Sequence, residues 1–235
     1  MTIALNKDSN VKEIPFGTLE GIPEHGAFVA IFCRDLMPYV KYAEATAEQK
    51  PLKTNAILMI FRWDQSTGFL GGKVNKGESL DAAAVREAGE EAHVNLEKEE
   101  LYPICSHQFL NPDATQFASH LYAVERTPDE FLAIWKNSIG DPYISVAENR
   151  GIKVVTTELA DTNYGLAATL AGQLQPSVLE EVLLLAEKFQ LVTPEHLDHL
   201  RAIAAWKDNL APMPLPPQKP LIKDHHARGA IDLIQ

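Results

Sequence analysis

The sequence predicts an α/β fold that continues into a C-terminal helix and a proline-rich arm. Apolar runs of strand length alternate along the chain with segments in which apolar residues recur at helical spacing. The pattern is mixed and does not repeat at a fixed period. A chain of 235 residues, 46% of them hydrophobic, is long enough and apolar enough to bury a substantial core.

Five apolar runs are predicted as strands. They span residues 28–33, 55–63, 101–110, 116–125 and 151–157. The first two flank a long loop that contains Pro51. The third and fourth surround residues 111–113, whose Asn-Pro-Asp sequence is typical of a turn, so we expect this pair to be antiparallel. The strands together indicate a buried sheet.

Helical periodicity predicts four helices after the second pair of strands. They span residues 128–137, 163–173, 176–188 and 193–206. Thr193 is a suitable N-cap and Pro194 a suitable first residue for the last helix. The prolines of residues 211–220 favour an extended polyproline II backbone. The chain is therefore divided into a main domain (1–192), an appended helix (193–210) and an arm (211–235).

The formal net charge of −11 argues against an extended duplex nucleic acid as partner, because such binding relies on clustered Lys and Arg. A phosphorylated substrate is compatible with this acidity, since a bound divalent cation can reverse the local charge. Residues 1–12 lack the apolar stretch of a signal peptide, and no apolar run is long enough to predict a membrane span. We therefore expect a cytoplasmic protein without a membrane partner.

The two cysteines give no indication of a disulfide framework or of a metal site by their spacing. Cys33 and Cys105 each lie in an apolar run, where a buried free thiol is the usual state. We assign them no function from the sequence.

Residues 71–94 combine a glycine-containing loop with a helix that is expected to be capped near Ser79. Gly71 and Gly72 permit a close approach of the backbone to an oxyanion. The N-terminus of the following helix offers unpaired N–H groups and a dipole that favours phosphate. This stretch therefore predicts a phosphate-binding segment.

The same helix brings acidic side chains together. At 3.6 residues per turn, Glu87, Glu90 and Glu91 fall in one sector. Like charges at this spacing destabilise a helix unless a cation compensates them, and carboxylate oxygens favour Mg²⁺ or Mn²⁺. Arg86 lies one turn before Glu90 and is placed to orient a carboxylate.

The other positions of this helix are divided between the core and the site. Val85, Ala88 and Ala92 form the stripe that is expected to face the core. Ala83 and Ala84 lie in the sector of the carboxylates, where their small side chains are expected to leave room for a substrate phosphate.

The alternative interpretation of the three glutamates is a solvated acidic face, which is the more common one for an arbitrary helix. Glu97, Glu99 and Glu100 illustrate it, because they lack a glycine loop and an orienting arginine. We assign them to the surface. The loop and the arginine favour a functional site on the preceding helix.

The segment resembles the Nudix box, G-x5-E-x7-R-E-u-x-E-E-x-G-u, where u is bulky and apolar. The matching residues are Gly72, Glu78, Arg86, Glu87, Glu90, Glu91 and Val94. His93 replaces the last glycine of the box and Ala88 is small for its position. Both departures affect how the helix ends or packs, and neither removes a carboxylate.

Weaker similarity continues over about residues 25–192 and includes Ser106-His107, His120-Leu-Tyr-Ala and Gly151-Ile-Lys-Val. Here the chain is similar to the Nudix subfamily that decaps a small nucleolar RNA and hydrolyses inosine-type nucleotides. The resemblance implies an α/β/α sandwich with a mixed sheet. It also implies a metal-dependent hydrolase that cleaves a diphosphate linkage in a nucleoside diphosphate derivative.

The resemblance further implies roles for individual residues. Metal ligation falls on the Gly71 carbonyl, Glu87, Glu91 and His107, and Glu90 assists or activates water. The expected contacts with substrate are Phe28, Arg62, Phe69, Gly72 and Glu181. Phe28 and Glu181 stand where the family has histidine and glutamine, which changes the surroundings of the base. Leu184 stands where the family has a further carboxylate ligand, and Leu70 replaces a proline.

Three of these residues have structural alternatives. Without the resemblance, His107 is more often a core or surface histidine than a ligand. Arg62 has a competing role in a structural ion pair, and Phe69 one in the core.

The predicted partners are a nucleotide or a capped RNA 5′ end. The alternative function is a catalytically idle Nudix domain that binds a nucleotide or a protein through its arm. Apolar residues at the end of the arm, Leu221 and Ile222 among them, also suggest a homodimer in which the arm crosses a second subunit.

Overall fold

The computed structural model describes residues 11–36, 53–62, 64–110, 115–139, 149–157 and 165–209. This part of the chain forms eight strands and five α-helices. The strands are β1 (Lys12–Ile14), β2 (Glu24–Leu36), β3 (Thr54–Arg62), β4 (Thr67–Gly68), β5 (Leu70–Lys73), β6 (Tyr102–Leu110), β7 (Gln116–Glu125) and β8 (Asn149–Thr156). The helices are α1 (Leu80–Ala92), α2 (Pro128–Ile139), α3 (Leu166–Ala171), α4 (Val178–Lys188) and α5 (Pro194–Asn209).

The strands form one mixed sheet around β2. The order is β1-β6-β7-β2-β3-β4, with β5 paired to β2 and β8 paired to β3. β2 runs parallel to β7, and the other pairs are antiparallel. Residues 26–29 of β2 pair with β5, and residues 32–36 pair with β3. This division places the glycines of β5 directly beside the first half of the central strand.

Two apolar cores lie on opposite faces of the sheet, because side chains alternate along each strand. In β2, Val29 and Ile31 belong to the core shared with α1 and α2. Ala30 and Phe32 belong to the core shared with α3, α4 and α5. The sheet therefore lies between two helical layers, as the predicted sandwich requires.

The predicted strands and helices are confirmed, with shifts at their ends. α3 is shorter than the predicted span 163–173, because Gly165 and Gly172 occupy its two caps. α4 begins at Val178, with Ser177 as its N-cap. α5 begins at Pro194, as predicted from its capping sequence. The loop with Pro51, the turn at 111–113 and the arm at 211–235 lie outside the described residues.

Both predicted thiols are buried. Cys33 packs in the core on the α1 side and Cys105 in the core on the α4 side. No helix in the described ranges has the length and hydropathy needed to cross a membrane.

A buried chain of hydrogen bonds ties the N-terminal segment to the sheet. Ser106 Oγ lies 2.7 Å from His120 Nδ1, and His120 Nε2 lies 3.1 Å from His25 Nδ1. His25 Nε2 lies 3.0 Å from the carbonyl oxygen of Ile22, which can only accept. Because this carbonyl oxygen accepts, the donors follow one another along the chain: Ser106 donates to His120, His120 to His25, and His25 to Ile22. The N–H of Gly17 donates to Ser106 Oγ and completes the network.

Acid should weaken this network. His120 is fully buried, and its pKa is lowered to about 4, mainly by burial and also by His25. Because the unfolded chain takes up this proton at a higher pH than the folded chain, stability falls as the pH drops from about 6.5 towards 4. Urea unfolding across this range should show the loss. It should be smaller in His120→Gln, which cannot titrate.

His93→Asn is the control, because His93 is exposed and lies outside the network. This variant should keep the pH dependence of the wild-type protein. An equal pH dependence in His120→Gln and wild type would contradict the assignment.

Candidate active site

The boundaries of α1 follow from its capping residues. Ser79 has the extended conformation of an N-cap, so the helix begins at Leu80 as the sequence predicts. His93 has φ 51°, and its N–H donates to the carbonyl oxygen of Gly89. This left-handed conformation favours glycine, which explains the glycine of the Nudix box at this position. The helix keeps its end in spite of the substitution, at a cost of about 1 kcal/mol in backbone strain.

α1 packs on the sheet through alanines. Ala83, Ala84, Ala88 and Ala92 are fully buried in the core, and Val85 is half-buried against it. The expected core stripe is confirmed. The expectation that Ala83 and Ala84 leave room for a phosphate is wrong, because both side chains are covered by the core. The buried face is wider than one stripe because α1 packs against β2, β5 and α2.

Arg86 is the centre of an ion-pair network on the outer side of α1. Its Nε and Nη2 atoms donate to the two carboxylate oxygens of Glu78 at 2.9 and 3.0 Å. Its Nη1 donates to Glu87 at 2.7 Å and to Glu90 at 3.1 Å. Nη2 also donates to the carbonyl oxygen of Lys73 at 3.1 Å. The arginine thus fixes two of the three predicted carboxylates and ties the helix to the loop before it.

The electrostatics of this network follow from the arginine. The hydrogen bond from Arg86 holds the pKa of Glu78 at about 2, and a backbone hydrogen bond from Asn75 adds to this effect. The carboxylates in turn raise the pKa of Arg86, with Glu78 as the main cause and Glu87 next. Glu78 is therefore ionised at any pH at which the protein is expected to work.

The other carboxylates reach the backbone of β5. The N–H of Gly71 donates to Glu91 Oε2 at 2.7 Å, and Glu91 is only 4% exposed. The carboxylate of Glu87 lies against Gly72, where an added Cβ would come within 2.6 Å of it. Gly71 has φ 144°, and a Cβ there would collide with the Ala27 carbonyl oxygen. Gly71 therefore requires glycine, whereas a Cβ at Gly72 would displace the Glu87 carboxylate from its place.

Together these contacts form an acidic cradle, which we define as the Gly71–Gly72 backbone with Glu87, Glu90 and Glu91. The cradle brings the carboxylates of Glu87 and Glu91 against the backbone of β5. Glu91 is buried, Glu87 is half-buried, and Glu90 is exposed. Such a gradient from buried to exposed oxygens suits a divalent cation held on one side and open to a ligand on the other.

His107 and Glu181 lie apart from the acidic cradle, on the other face of the sheet. His107 Nδ1 is 3.6 Å from Glu181 Oε1 of α4. Cys105, two residues earlier on β6, packs in the core on the α4 side, and residues two apart on a strand point to the same face. The structure thus brings together a predicted ligand and a predicted substrate contact, and adds Cys105 to them.

The three remaining predicted contacts differ in exposure. Phe28 is half-buried, and its ring stands over Gly26, on the α4 side of the sheet. Phe69 is 1% exposed and packs in the core on this side. This placement agrees with the alternative interpretation of Phe69 as a core residue. The Nε atom of Arg62 is buried and has no hydrogen-bond partner in the part of the chain that the structure describes.

The Arg86 network and the His107–Glu181 pair each include one residue to which no role was assigned from the sequence. Glu78 anchors Arg86, and its position eight residues before the arginine in the Nudix box was the available signal. Cys105 joins His107 and Glu181, and no sequence pattern links it to a residue on α4.

The fold and the site define an α/β sandwich protein with a helix-borne carboxylate centre. The sequence model described as NUDIX domain matches residues 47–154, which include β3 to β5, α1, β6 and β7. This match and the observed sheet between two helical layers confirm the predicted Nudix fold. The match also supports the predicted enzyme class, a pyrophosphohydrolase. The finer placement in a subfamily stays a prediction.

Comparison with solved structures gives the following similarities. A mutT/nudix family protein from Listeria innocua has 16% sequence identity and a TM-score of 0.47, over 73% of this chain and 99% of that one. The Bacillus subtilis pyrophosphohydrolase BsRppH has 16% identity and a TM-score of 0.45, over 77% and 93%. A C. elegans Ap4A hydrolase has 16% identity and a TM-score of 0.36, over 59% and 84%. No curated protein matches the chain.

The Arg86 network should contribute to stability. Glu78→Gln removes the carboxylate charge to which Arg86 donates two hydrogen bonds. We therefore expect the free energy of unfolding to fall by about 1–2 kcal/mol. Glu99→Gln is the matched control, because Glu99 is exposed and substitutions at such sites change stability by less than about 0.5 kcal/mol. Urea denaturation of the two variants measures the difference. Equal stabilities would show that the network is only a surface feature.

Proposed function

We propose that this protein is a Nudix-type pyrophosphohydrolase that uses Mg²⁺ or Mn²⁺ to cleave a diphosphate linkage in a nucleoside diphosphate derivative. The observation that carries the proposal is the contact of Glu87 and Glu91 with the Gly71–Gly72 backbone. It brings two carboxylates of α1 against the glycine backbone of β5.

The acidic cradle fits a hard divalent cation. Its donors are oxygens, which Mg²⁺ and Mn²⁺ prefer over nitrogen or sulfur. The absence of a side chain at Gly72 gives Glu87 its place, and a Cβ would fill that place. We propose the Gly71 carbonyl, Glu87 and Glu91 as ligands. His107 stays a predicted ligand from the resemblance, with its ring on the α4 side.

The chain's own groups then have separate tasks. Glu90 is the exposed carboxylate of the cradle, and Arg86 holds it with a hydrogen bond of 3.1 Å. It is the group that accepts the proton of the attacking water. The water oxygen bonds to phosphorus, and the bridging P–O bond breaks to leave two phosphate-ended products. A bound cation would lower the pKa of the water and neutralise charge on the phosphates. Arg86 is a positioning residue in this scheme.

The substrate is proposed from the surroundings of the cradle. The glycine loop and the N-terminus of α1 offer backbone N–H groups to phosphate oxygens. Phe28 and Glu181 are proposed to contact the base from the α4 side, with Gly72 at the phosphates and with Arg62 and Phe69 as the further predicted contacts. The candidates are inosine-type nucleotides and capped RNA 5′ ends, and the acidic chain favours a small molecule or a short end. A homodimer and a cytoplasmic location stay predictions.

Hydrolysis of a substrate panel tests the proposal. With Mg²⁺ or Mn²⁺, the protein should release product from at least one of capped RNA, ADP-ribose, dinucleoside polyphosphates and inosine nucleotides. EDTA should abolish this activity, and Ca²⁺ should support it poorly because its longer and looser coordination misplaces the water. Lack of turnover across the panel with either metal would favour the idle-domain alternative.

Glu91→Gln should lower turnover by about 100-fold or more, because it removes a charge that holds the cation. The amide oxygen can still accept the hydrogen bond from Gly71, so the fold should be kept and circular dichroism should be unchanged. Glu99→Gln should retain full activity. Near-normal turnover of Glu91→Gln at saturating metal would refute the site.

Two glycines of the same segment give a second, matched test. Gly72→Ala places a Cβ within 2.6 Å of the Glu87 carboxylate, so Mn²⁺ affinity measured by electron paramagnetic resonance should fall by roughly 10-fold or more. Gly89→Ala adds a Cβ on α1 at an ordinary van der Waals distance of 3.8 Å from the Val94 carbonyl oxygen, so affinity should be unchanged and stability should rise by about 0.5–1 kcal/mol. Equal Mn²⁺ affinities in the two variants would contradict the proposed role of Glu87.

A further inference from the structure

Three different metal-binding side chains meet in the core on the α4 side of the sheet. One ligand atom each from Cys105, His107 and Glu181 lies within 4.8 Å of the other two. The residues are 5%, 1% and 2% exposed, so all three are shielded from bulk water. The function proposed above makes no use of Cys105.

The fold holds this group in place from two directions. Cys105 and His107 are two residues apart on β6, so both point towards α4. Glu181 lies on the first turn of α4, and its Oε1 accepts hydrogen bonds from Ser119 at 2.8 Å and from Ser177 at 2.9 Å. The strand supplies two ligands, and the helix supplies one whose orientation is fixed.

One polar atom of this group lacks a hydrogen-bond partner among the described residues. His107 Nδ1 is buried and makes no hydrogen bond within the described residues, and its nearest acidic atom is Glu181 Oε1 at 3.6 Å. Among the described residues, the ion-pair partner of the buried Glu181 carboxylate is His107 and not a lysine or arginine, and a buried carboxylate without a nearby cation is costly. A ligand that bonds to the imidazole nitrogen and carries positive charge would resolve both problems.

We propose that Cys105, His107 and Glu181 form a binding site for Zn²⁺. A thiolate, an imidazole and a carboxylate are typical zinc ligands, and the sulfur disfavours Mg²⁺ and Mn²⁺. Ligand atoms on a tetrahedral zinc ion lie roughly 3.3–3.8 Å apart, given the usual zinc–ligand bond lengths. The 3.6 Å between His107 Nδ1 and Glu181 Oε1 matches this spacing.

The zinc site is separate from the acidic cradle in position and in chemistry. The cradle lies on the α1 side of the sheet and offers oxygens, whereas the zinc site lies on the α4 side and offers sulfur, nitrogen and oxygen. Its direct effect is to link β6 to α4, two elements that are distant in sequence. The inference goes beyond the proposed function, because it gives His107 and Glu181 a different role from the catalytic-metal and base contacts expected of them there. Cation binding by Cys105, His107 and Glu181 can be measured whether or not the protein hydrolyses a nucleotide.

Cobalt substitution of the full-length protein tests the site without any assay of hydrolysis. Co²⁺ bound to a thiolate gives a sulfur-to-metal charge-transfer band in the near ultraviolet. One equivalent of Co²⁺ should produce this band in the metal-free protein, and Zn²⁺ should remove it. Cys105→Ser should lack the band. Cys33→Ser should keep it, since Cys33 is equally buried but packs on the α1 side.

Thermal unfolding gives a second measurement. Zn²⁺ at 100 times its dissociation constant should raise the Tm of the wild-type protein and of Cys33→Ser by roughly 5–10 °C. It should not raise the Tm of Cys105→Ser or of His107→Gln. The second variant keeps the thiol, so it covers the case in which Cys105→Ser fails to fold.

Three results would overturn the proposal. They are the absence of the band in the wild-type protein, its loss in Cys33→Ser, and its persistence in Cys105→Ser. Cobalt binding without the band, through histidines elsewhere such as His225 and His226, also counts against the site. A variant that keeps the cobalt charge-transfer band but no longer hydrolyses nucleotides would have a defect in the acidic cradle and not in the zinc site.

Discussion

The close contact between α1 and the sheet is the constraint on which the rest of the site depends. The helix approaches β2 and β5 through alanines such as Ala84 and Ala88, which are fully buried. Larger side chains would hold the helix away from the sheet. At this separation the carboxylates of Glu87 and Glu91 meet the backbone of β5, where glycine leaves room for them. The alanines of the helix and the glycines of the strand are therefore two parts of one packing requirement.

Arg86 solves the electrostatic problem that this packing creates. The helix carries several carboxylates within two turns, and the mutual repulsion of like charges at this spacing destabilises it. The arginine bonds to Glu87 and Glu90 of the helix, so it offsets their repulsion. It also bonds to Glu78 and to the carbonyl oxygen of Lys73, both before the helix, and so joins helix to loop. Glu78 has only a structural part in this network, and it is the carboxylate most completely bonded to the guanidinium. The carboxylates that remain open to a cation are those further along the helix.

What could be predicted from the sequence was local. Spacing within residues 71–94 was sufficient for the loop, the helix, its caps and the Arg86 contact with Glu90, since all depend on neighbours a few residues away. The burial of Ala83 could not be predicted from a helical period alone, because it depends on α2 and β5 together covering more than one stripe. The pairing of His107 with Glu181 could not be predicted either. It follows from which sheet face β6 presents and where α4 packs.

The two donor sets differ in exposure as well as in chemistry, and this difference separates their possible uses. The acidic cradle ends in an exposed carboxylate, so metal, water and substrate can exchange there during turnover. The proposed zinc ligands, of which Glu181 is 2% exposed, are enclosed by the core on the α4 side. A cation held there exchanges slowly and joins β6 to α4 instead of contacting solvent. Because sulfur is present in one set alone, Zn²⁺ and Mg²⁺ would be sorted between the two faces by ligand type, without competition for one site.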